Sequence, residues 1–316
     1  MVSKCCHYKL NLNAHSITML SILIPTYNHN VTRLVADLHQ QALETYVDFE
    51  IIVVEDGSTL FIEENKTIAD VEFCRHIILD KNTGRSAVRN KLAYEARYNH
   101  LLFIDGDAEV CSEYFVAKYV SFCREECVVM GGTTYDVNEH DPRYCLRLKY
   151  GREREAKSAI ERSKQSTYHN FSTFNFLIST SLFNSIHFDE SIRGYGHEDT
   201  LFGHQLHELG CEFIHIENPL LHKGLDDNET FISKTEEGTR NLFLLYQSGN
   251  YPFLTHESKL LHSFVKLKKA GLVRVGAAAF DISKRYLLRN LFSPSPSLRL
   301  YDIYKLLFIC KTSLAK

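Results

Sequence analysis

The sequence predicts an α/β protein, with a mostly parallel central sheet flanked by helices and a helical C-terminal appendage. Three observations predict it. Four short apolar runs, at 19–24, 49–54, 76–79 and 100–104, alternate with segments of helical period. Each run stops at polar or turn-forming residues. Beyond about 229 helical patterns dominate, and the charge balance changes sign.

The first strand, 19–24, is stopped by Pro25, which has no N–H to give a ladder. Segment 30–44 carries Val31, Leu34, Val35, Leu38 and Ala42 at helical spacing, with Asn30 as the expected N-cap. The run 49–54 reads as a strand covered on both faces, broken by Glu55-Asp56-Gly57-Ser58. The stretch to Asp70 is less regular and reads as helical. A third strand at 76–79, a helix at 84–98 and a fourth strand ending at Asp105 complete β-α-β-α-β-α-β. Farther on, 128–132, 174–178 and 213–216 read as strands and 199–210 as a helix stopped by Gly210. Segment 143–165 is charged and reads as a mobile helix or loop. Ser293-Pro294-Ser295-Pro296-Ser297 marks a turn in the helical tail. The expected organisation is an extension at 1–18, a sheet domain at 19–228 and a helical basic region at 229–316.

With 316 residues, 44% hydrophobic and 24% charged, the chain can build a sizeable core without disulfides. Its nine cysteines are odd in number and show no repeating spacing, so reduced, buried thiols are expected. No run of about 18 apolar residues occurs, and the first residues lack a signal-peptide core. A cytoplasmic protein, soluble or peripheral at the cytoplasmic face of the membrane, is the expectation. The net charge of −3 hides an asymmetry: 256–316 holds 12 Lys+Arg and 3 Asp+Glu, leaving 24 against 36 elsewhere. Such a basic amphipathic tail suits either peripheral membrane contact or a packed helical region with a solvated face.

Ligands of parallel sheets gather beyond the carboxyl ends of the strands. There the sequence places Pro25, Thr26, Tyr27 and Asn28, then Asp56, then Asn82 and Gly84, then Asp105, Gly106 and Asp107. Asp105-Gly106-Asp107 delivers two carboxylates with a glycine for a sharp turn between them. Hard oxygen ligands of this kind suit Mg2+ or Mn2+, which neutralises a diphosphate leaving group. Asp56 can accept a hydrogen bond from an imide N–H, as uracil presents, or cap a helix. Gly84 opens a helix whose N-terminus favours phosphate, with Arg85 and Arg89 near one face. Gly194-Tyr195-Gly196-His197-Glu198-Asp199 places adjacent acids at a helix start, where one carboxylate can deprotonate a hydroxyl. His222, in a later loop, is a further candidate metal ligand. No Gly-x-Gly-x-x-Gly, Walker loop or Gly-x-Ser-x-Gly occurs. The aromatics do not interleave with a basic surface as nucleic-acid binding requires.

Taken together and in this order, 21–28, 53–58, 82–90, 103–107 and 194–199 resemble the family 2 glycosyltransferases, whose fold is the Rossmann-like GT-A sheet. The resemblance covers about 19–225. It implies inverting transfer from a nucleoside-diphosphate sugar, with a uridine nucleotide expected, to a glycan or lipid-linked acceptor in surface polysaccharide synthesis. It assigns Thr26 and Asp56 to the nucleoside and base, Arg89 to the nucleotide pocket, Asp105 to the ribose or sugar side and Asp107 to Mn2+ or Mg2+. Asp199 is then the catalytic base, with Glu198 beside it. The region around Asn175 belongs to the acceptor side. Where the family often reads Gly-Gly-Glu-Asp, His197 replaces the second glycine, and a restricted loop is expected. The alternative function is a nucleotide-sugar-binding protein without catalysis. A sugar-1-phosphate nucleotidyltransferase would need a glycine-rich signature after the first strand.

Overall fold

The computed structural model describes residues 19–164, 167–192 and 194–315. The expected N-terminal extension, with Cys5 and Cys6, lies outside them. The strands are β1 (Met19–Thr26), β2 (Asp48–Asp56), β3 (Cys74–Leu79), β4 (His100–Ile104), β5 (Ala108–Glu109), β6 (Cys127–Met130), β7 (Thr133–Thr134), β8 (Asn175–Ser179), β9 (Glu212–His215) and β10 (Leu220–His222). Seven form the main sheet in the order β3-β2-β1-β4-β8-β6-β9. The first four are parallel, as helical crossovers require. The expected return of 174–178 is β8, which runs antiparallel between β4 and β6. The other three strands form a small second sheet, β5-β10-β7.

Alternation along the strands builds a core on each face. Leu20, Ile22, Ile51, Val53, Leu102 and Ile104 meet the helix Thr32–Leu43 through Leu34, Val35 and Leu38. Leu23, Ile52, Val54, Leu101 and Phe103 meet the helices Arg85–Glu95 and Glu198–Glu208 on the other face, through Val88, Leu92, Phe202 and Leu206. These strand side chains are fully buried. Each contributes about 1.5–3 kcal/mol in area bookkeeping, which outweighs the modest intrinsic preferences of such short segments.

Asn30 does not occupy the N-cap expected of it. The Thr32–Leu43 helix begins one residue later, because the buried Asn65 Oδ1 accepts the Val31 amide at 3.0 Å. Asn30 Oδ1 instead takes the Thr32 amide at 3.1 Å. The described part of the charged segment, 143–164, contains short helical pieces, Cys145–Tyr150, a π-helical turn Gly151–Glu155 and Ala159–Ser163. Ser158 and Glu161 close the last of these with a reciprocal capping box.

From residue 228 the chain is helical: Asn228–Ser248, Leu254–Glu257, Lys259–Lys269, Val273–Leu291 and Leu298–Thr312. Phe280, Leu287 and Leu291 pack with Tyr301, Tyr304 and Phe308, and this cluster takes in Leu146. A second cluster joins Leu242, Phe264 and Ile309 to Leu201 of the sheet unit. No described helix is long and apolar enough to cross a membrane. All seven described cysteines are free. Burial pushes the Cys74 thiol up to about 11 and that of Cys123 to about 12, so both stay protonated and unreactive.

Candidate active site

The carboxyl ends of β1 and β2 are each bound to the loop that follows the next strand. Asn28 sits in the left-handed region at φ 58°, and its Oδ1 accepts the Thr59 amide at 2.7 Å and the Leu60 amide at 3.0 Å. Asp56 is buried. Its carboxylate takes the Thr83 amide at 2.7 Å, the Thr83 hydroxyl at 2.6 Å and the Gly84 amide at 3.0 Å. The Asn82 amide donates to the Asp56 carbonyl. Asp56 therefore holds the start of the Arg85–Glu95 helix in place, where Gly84 adopts φ 95°, a conformation open to glycine. Tyr27 is half-exposed at this edge, and Thr26 is buried, with no hydrogen-bond partner for its Oγ1 among the described residues.

Gly106 lies in a turn closed by the Ala108 amide on the Asp105 carbonyl at 3.1 Å, but the turn alone does not require glycine. Its φ is not positive, but a Cβ would lie 3.0 Å from the Pro25 carbonyl oxygen and 3.0 Å from Thr26 Oγ1. The Gly106 amide donates to Pro25 O at 3.2 Å. Absence of a side chain lets the β4 end lie against the β1 end, bringing Asp105 and Asp107 beside Thr26.

Asp105 Oδ1 accepts from Arg89 Nη2 at 2.7 Å, and Glu198 Oε1 lies 3.9 Å from Arg89 Nη1 and 3.7 Å from Arg85 Nη1. Three separate sequence motifs meet in this cluster. Burial pushes the Asp105 carboxyl up, Arg89 opposes that shift, and Asp107 adds to it. Arg89, expected to line the nucleotide pocket, is buried behind Asp105 and against the Phe188 ring. Two carboxylates draw it inward, and Arg85, one turn earlier, faces the cavity instead. Removing Arg89 would strand two largely buried carboxylates. Arg89→Ala is therefore expected to lower unfolding stability by about 3–5 kcal/mol, with partial recovery when Asp105→Asn is added. Urea unfolding curves of the two variants check this.

Asp107 and His222 come together through the small sheet, where His222 lies opposite Ala108 in the β5–β10 pair. The Lys223 amide donates to the Asp107 carbonyl at 2.8 Å, and His222 Nε2 lies 3.5 Å from Asp107 Oδ2. Burial pushes the imidazole pKa down, although Asp107 opposes this, so His222 stays neutral with a lone pair to give. Among the described residues, the buried Asp107 Oδ1 and His222 Nδ1 have no hydrogen-bond partner. A carboxylate and a neutral imidazole with unspent donor atoms fit Mn2+ or Mg2+. Among the described residues no ready group of three or more His, Cys, Asp or Glu exists, so such an ion would complete its shell with phosphate oxygens and water.

Glu198 and Asp199 open the Glu198–Glu208 helix after His197, which adopts φ 78°. A non-glycine residue there costs about 1–2 kcal/mol. Burial keeps its ring neutral, and Nε2 lies 3.1 Å from the Gly238 carbonyl, which anchors this loop to the helical region. Asp199 Oδ1 accepts the Thr200 amide at 2.7 Å. Burial, reinforced by the Glu198 carboxylate, raises the Asp199 pKa to about 6, the range of a working general base.

One cavity of 410 Å³ is lined by Asp105, Asp107, Glu198, Asp199 and His222 together. Asn175 also borders it, but its amide oxygen accepts from the Tyr119 hydroxyl and its amide nitrogen donates to the Gly132 carbonyl at 2.6 Å. That side chain serves the β8–β6 junction. Sequence reasoning passed over Tyr195, whose ring lies 4.8 Å from Arg85 Cζ, and the pair Arg147–Glu155 at 2.9 Å. Tyr195 lies within the Gly194–Asp199 motif, which is the sequence signal for it. Arg147 and Glu155 belong to no motif, and the π-helical turn that aims Glu155 has no sequence signature known to us.

A mostly parallel sheet with its acidic loop after β4 and a second sheet beside that loop defines the GT-A class of α/β proteins. The chain belongs to glycosyl transferase family 2, whose sequence model matches residues 21–186. It is 26% identical over 307 residues to chondroitin synthase of Escherichia coli, covering 85% of this chain and 43% of that protein. It is 30% identical over 109 residues to a teichoic acid poly(glycerol phosphate) polymerase of Staphylococcus epidermidis, covering 32% of this chain and 14% of that one. The chain spans less than half the length of either relative. Among solved structures, the mannosyltransferase PcManGT from Pyrobaculum calidifontis, in complex with GDP-Man and Mn2+, superposes with TM-score 0.55 at 13% identity, over 93% of this chain and 86% of that one. S. aureus TarS 1-349 gives TM-score 0.50 at 18% identity, over 92% and 90%. These likenesses bear on the fold.

Proposed function

We propose that this protein transfers a sugar, with inversion, from a nucleoside-diphosphate donor to a glycan or lipid-linked acceptor in surface polysaccharide synthesis. The observation that carries the proposal is the single cavity onto which Asp105, Asp107, His222 and Asp199 converge from distant parts of the chain. Thr26, with its unspent hydroxyl, and the Asp56 loop bound the nucleoside side, where a uridine would sit. Asp105, held by Arg89, faces the ribose, and Arg85 faces the phosphates. Asp107 and His222 would hold Mn2+ or Mg2+, whose charge neutralises the departing diphosphate. Asp199 accepts the proton of the acceptor hydroxyl as its oxygen attacks the anomeric carbon opposite the breaking bond to diphosphate. The names of the relatives, a chondroitin synthase and a teichoic acid polymerase, support a glycan-type acceptor.

A panel of nucleotide sugars with Mn2+, read by released nucleoside diphosphate, tests the proposal. Release from one donor, stimulated by an acceptor glycan, is the expected outcome. Tight donor binding with no release under any acceptor would favour the catalytically silent binder instead.

A further inference from the structure

We propose that the outward face of the Val273–Leu291 helix is a docking surface for an anionic lipid bilayer. The inner face of this helix, with Gly276, Ala277, Phe280, Leu287 and Leu291, is buried in the helical region. At 3.6 residues per turn, Val275, Ala278, Ile282, Tyr286 and Arg289 share an outward arc of about 80°. Val275 is 63% exposed, Ile282 85% and Tyr286 71%. An apolar ridge about 16 Å long from Val275 to Tyr286 therefore faces outward, uncovered by any of the described residues.

The charges beside the ridge identify what covers it. Arg274 and Arg285 flank one side and Arg289 ends it, and among the described residues none of the three has a carboxylate within ion-pair distance. The acid on this helix, Asp281, is taken by Lys311 at 2.6 Å. Lys266, Lys268 and Lys269 are exposed at the end of the preceding helix. An apolar stripe with a tyrosine, bordered by unneutralised arginines, matches the boundary between acyl chains and anionic headgroups. A second copy fits less well. Two such ridges packed about a twofold axis would bring Arg274, Arg285 and Arg289 against their own counterparts. The surface stands independently of the transfer reaction.

The test is sedimentation of the full chain with vesicles of phosphatidylcholine alone or with about 30% phosphatidylglycerol, at low and high salt. Binding to the anionic vesicles is expected to be about tenfold stronger than to the neutral ones and to fall with salt. Ile282→Asp with Tyr286→Asp, and separately Arg285→Glu with Arg289→Glu, should reduce it to the neutral-vesicle level. Tyr46→Asp, on another exposed surface, should leave it unchanged. All these positions are exposed, and unchanged melting temperatures would show that the fold survives. Failure of the wild-type chain to pellet with anionic vesicles would overturn the proposal. So would pelleting of both double variants at the wild-type level, or a wild-type dimer that the same substitutions dissociate while vesicle binding is absent.

Discussion

Asp107→Asn is expected to lower Mn2+-supported turnover by about 10³-fold while leaving the protein folded. A metal ion at a diphosphate leaving group supplies several kcal/mol of charge stabilisation, and each 1.36 kcal/mol is tenfold in rate. Asparagine keeps the shape and loses the charge. The backbone contact from the Lys223 amide to the residue 107 carbonyl is untouched, so the small sheet should persist. The decisive measurement pairs turnover with Mn2+ affinity, for example by paramagnetic relaxation of water protons in the presence of nucleoside diphosphate. Loss of turnover with Mn2+ affinity unchanged would remove Asp107 from the metal site. His222→Ala should weaken the same affinity, since its imidazole is the other group with an unspent donor atom.

Asp199→Asn should reduce turnover by about 10²–10⁴-fold with donor affinity preserved, the range expected for loss of a general base. The wild-type rate should rise as pH increases through about 6, where the raised Asp199 carboxyl ionises, and the asparagine variant should lose that acidic limb. The stability consequence has the opposite sign from an ordinary salt-bridged aspartate. A folded pKa above the unfolded value means that the carboxyl stabilises the fold at low pH and that this contribution is lost as pH rises through about 6. At neutral pH the variant should therefore melt no lower than the wild type, which separates a catalytic loss from unfolding. Turnover like that of the wild type in Asp199→Asn would end its role as the base.

Much of the site was readable before the fold was known, because the strand ends carry it. Apolar runs at 19–24, 49–54 and 100–104 end at Thr26, Asp56 and Asp105 or Asp107, and a parallel sheet must bring such ends to one edge. What residue type alone left open there concerns local roles. Gly106 lies in the turn closed by the Ala108 amide on the Asp105 carbonyl, and its missing side chain also lets β4 approach β1. Arg89 serves Asp105 from behind and leaves the cavity to Arg85. Asn175 borders the cavity yet spends its amide on Tyr119 and Gly132. In each case residue type and position were visible, but the direction of the side chain depended on a neighbour far away in sequence.

Hydrophobic period and strand-end chemistry thus made the parallel sheet, its acidic edge and the helical, basic tail legible from the sequence alone. These features depend on neighbours within a few residues, and local spacing encodes them. The antiparallel insertion of β8, the small sheet that sets His222 beside Asp107 and the Arg89 bridge from Asp105 to Glu198 were decided by the tertiary structure. Each rests on contacts between segments distant in sequence, which local spacing does not encode; for the Arg89 bridge, the cost of burying a charge without a partner selects the arrangement. The same division holds for the tail. Its excess of arginine and lysine was plain in the sequence, whereas only packing could show that Val275, Ile282 and Tyr286 are left facing outward.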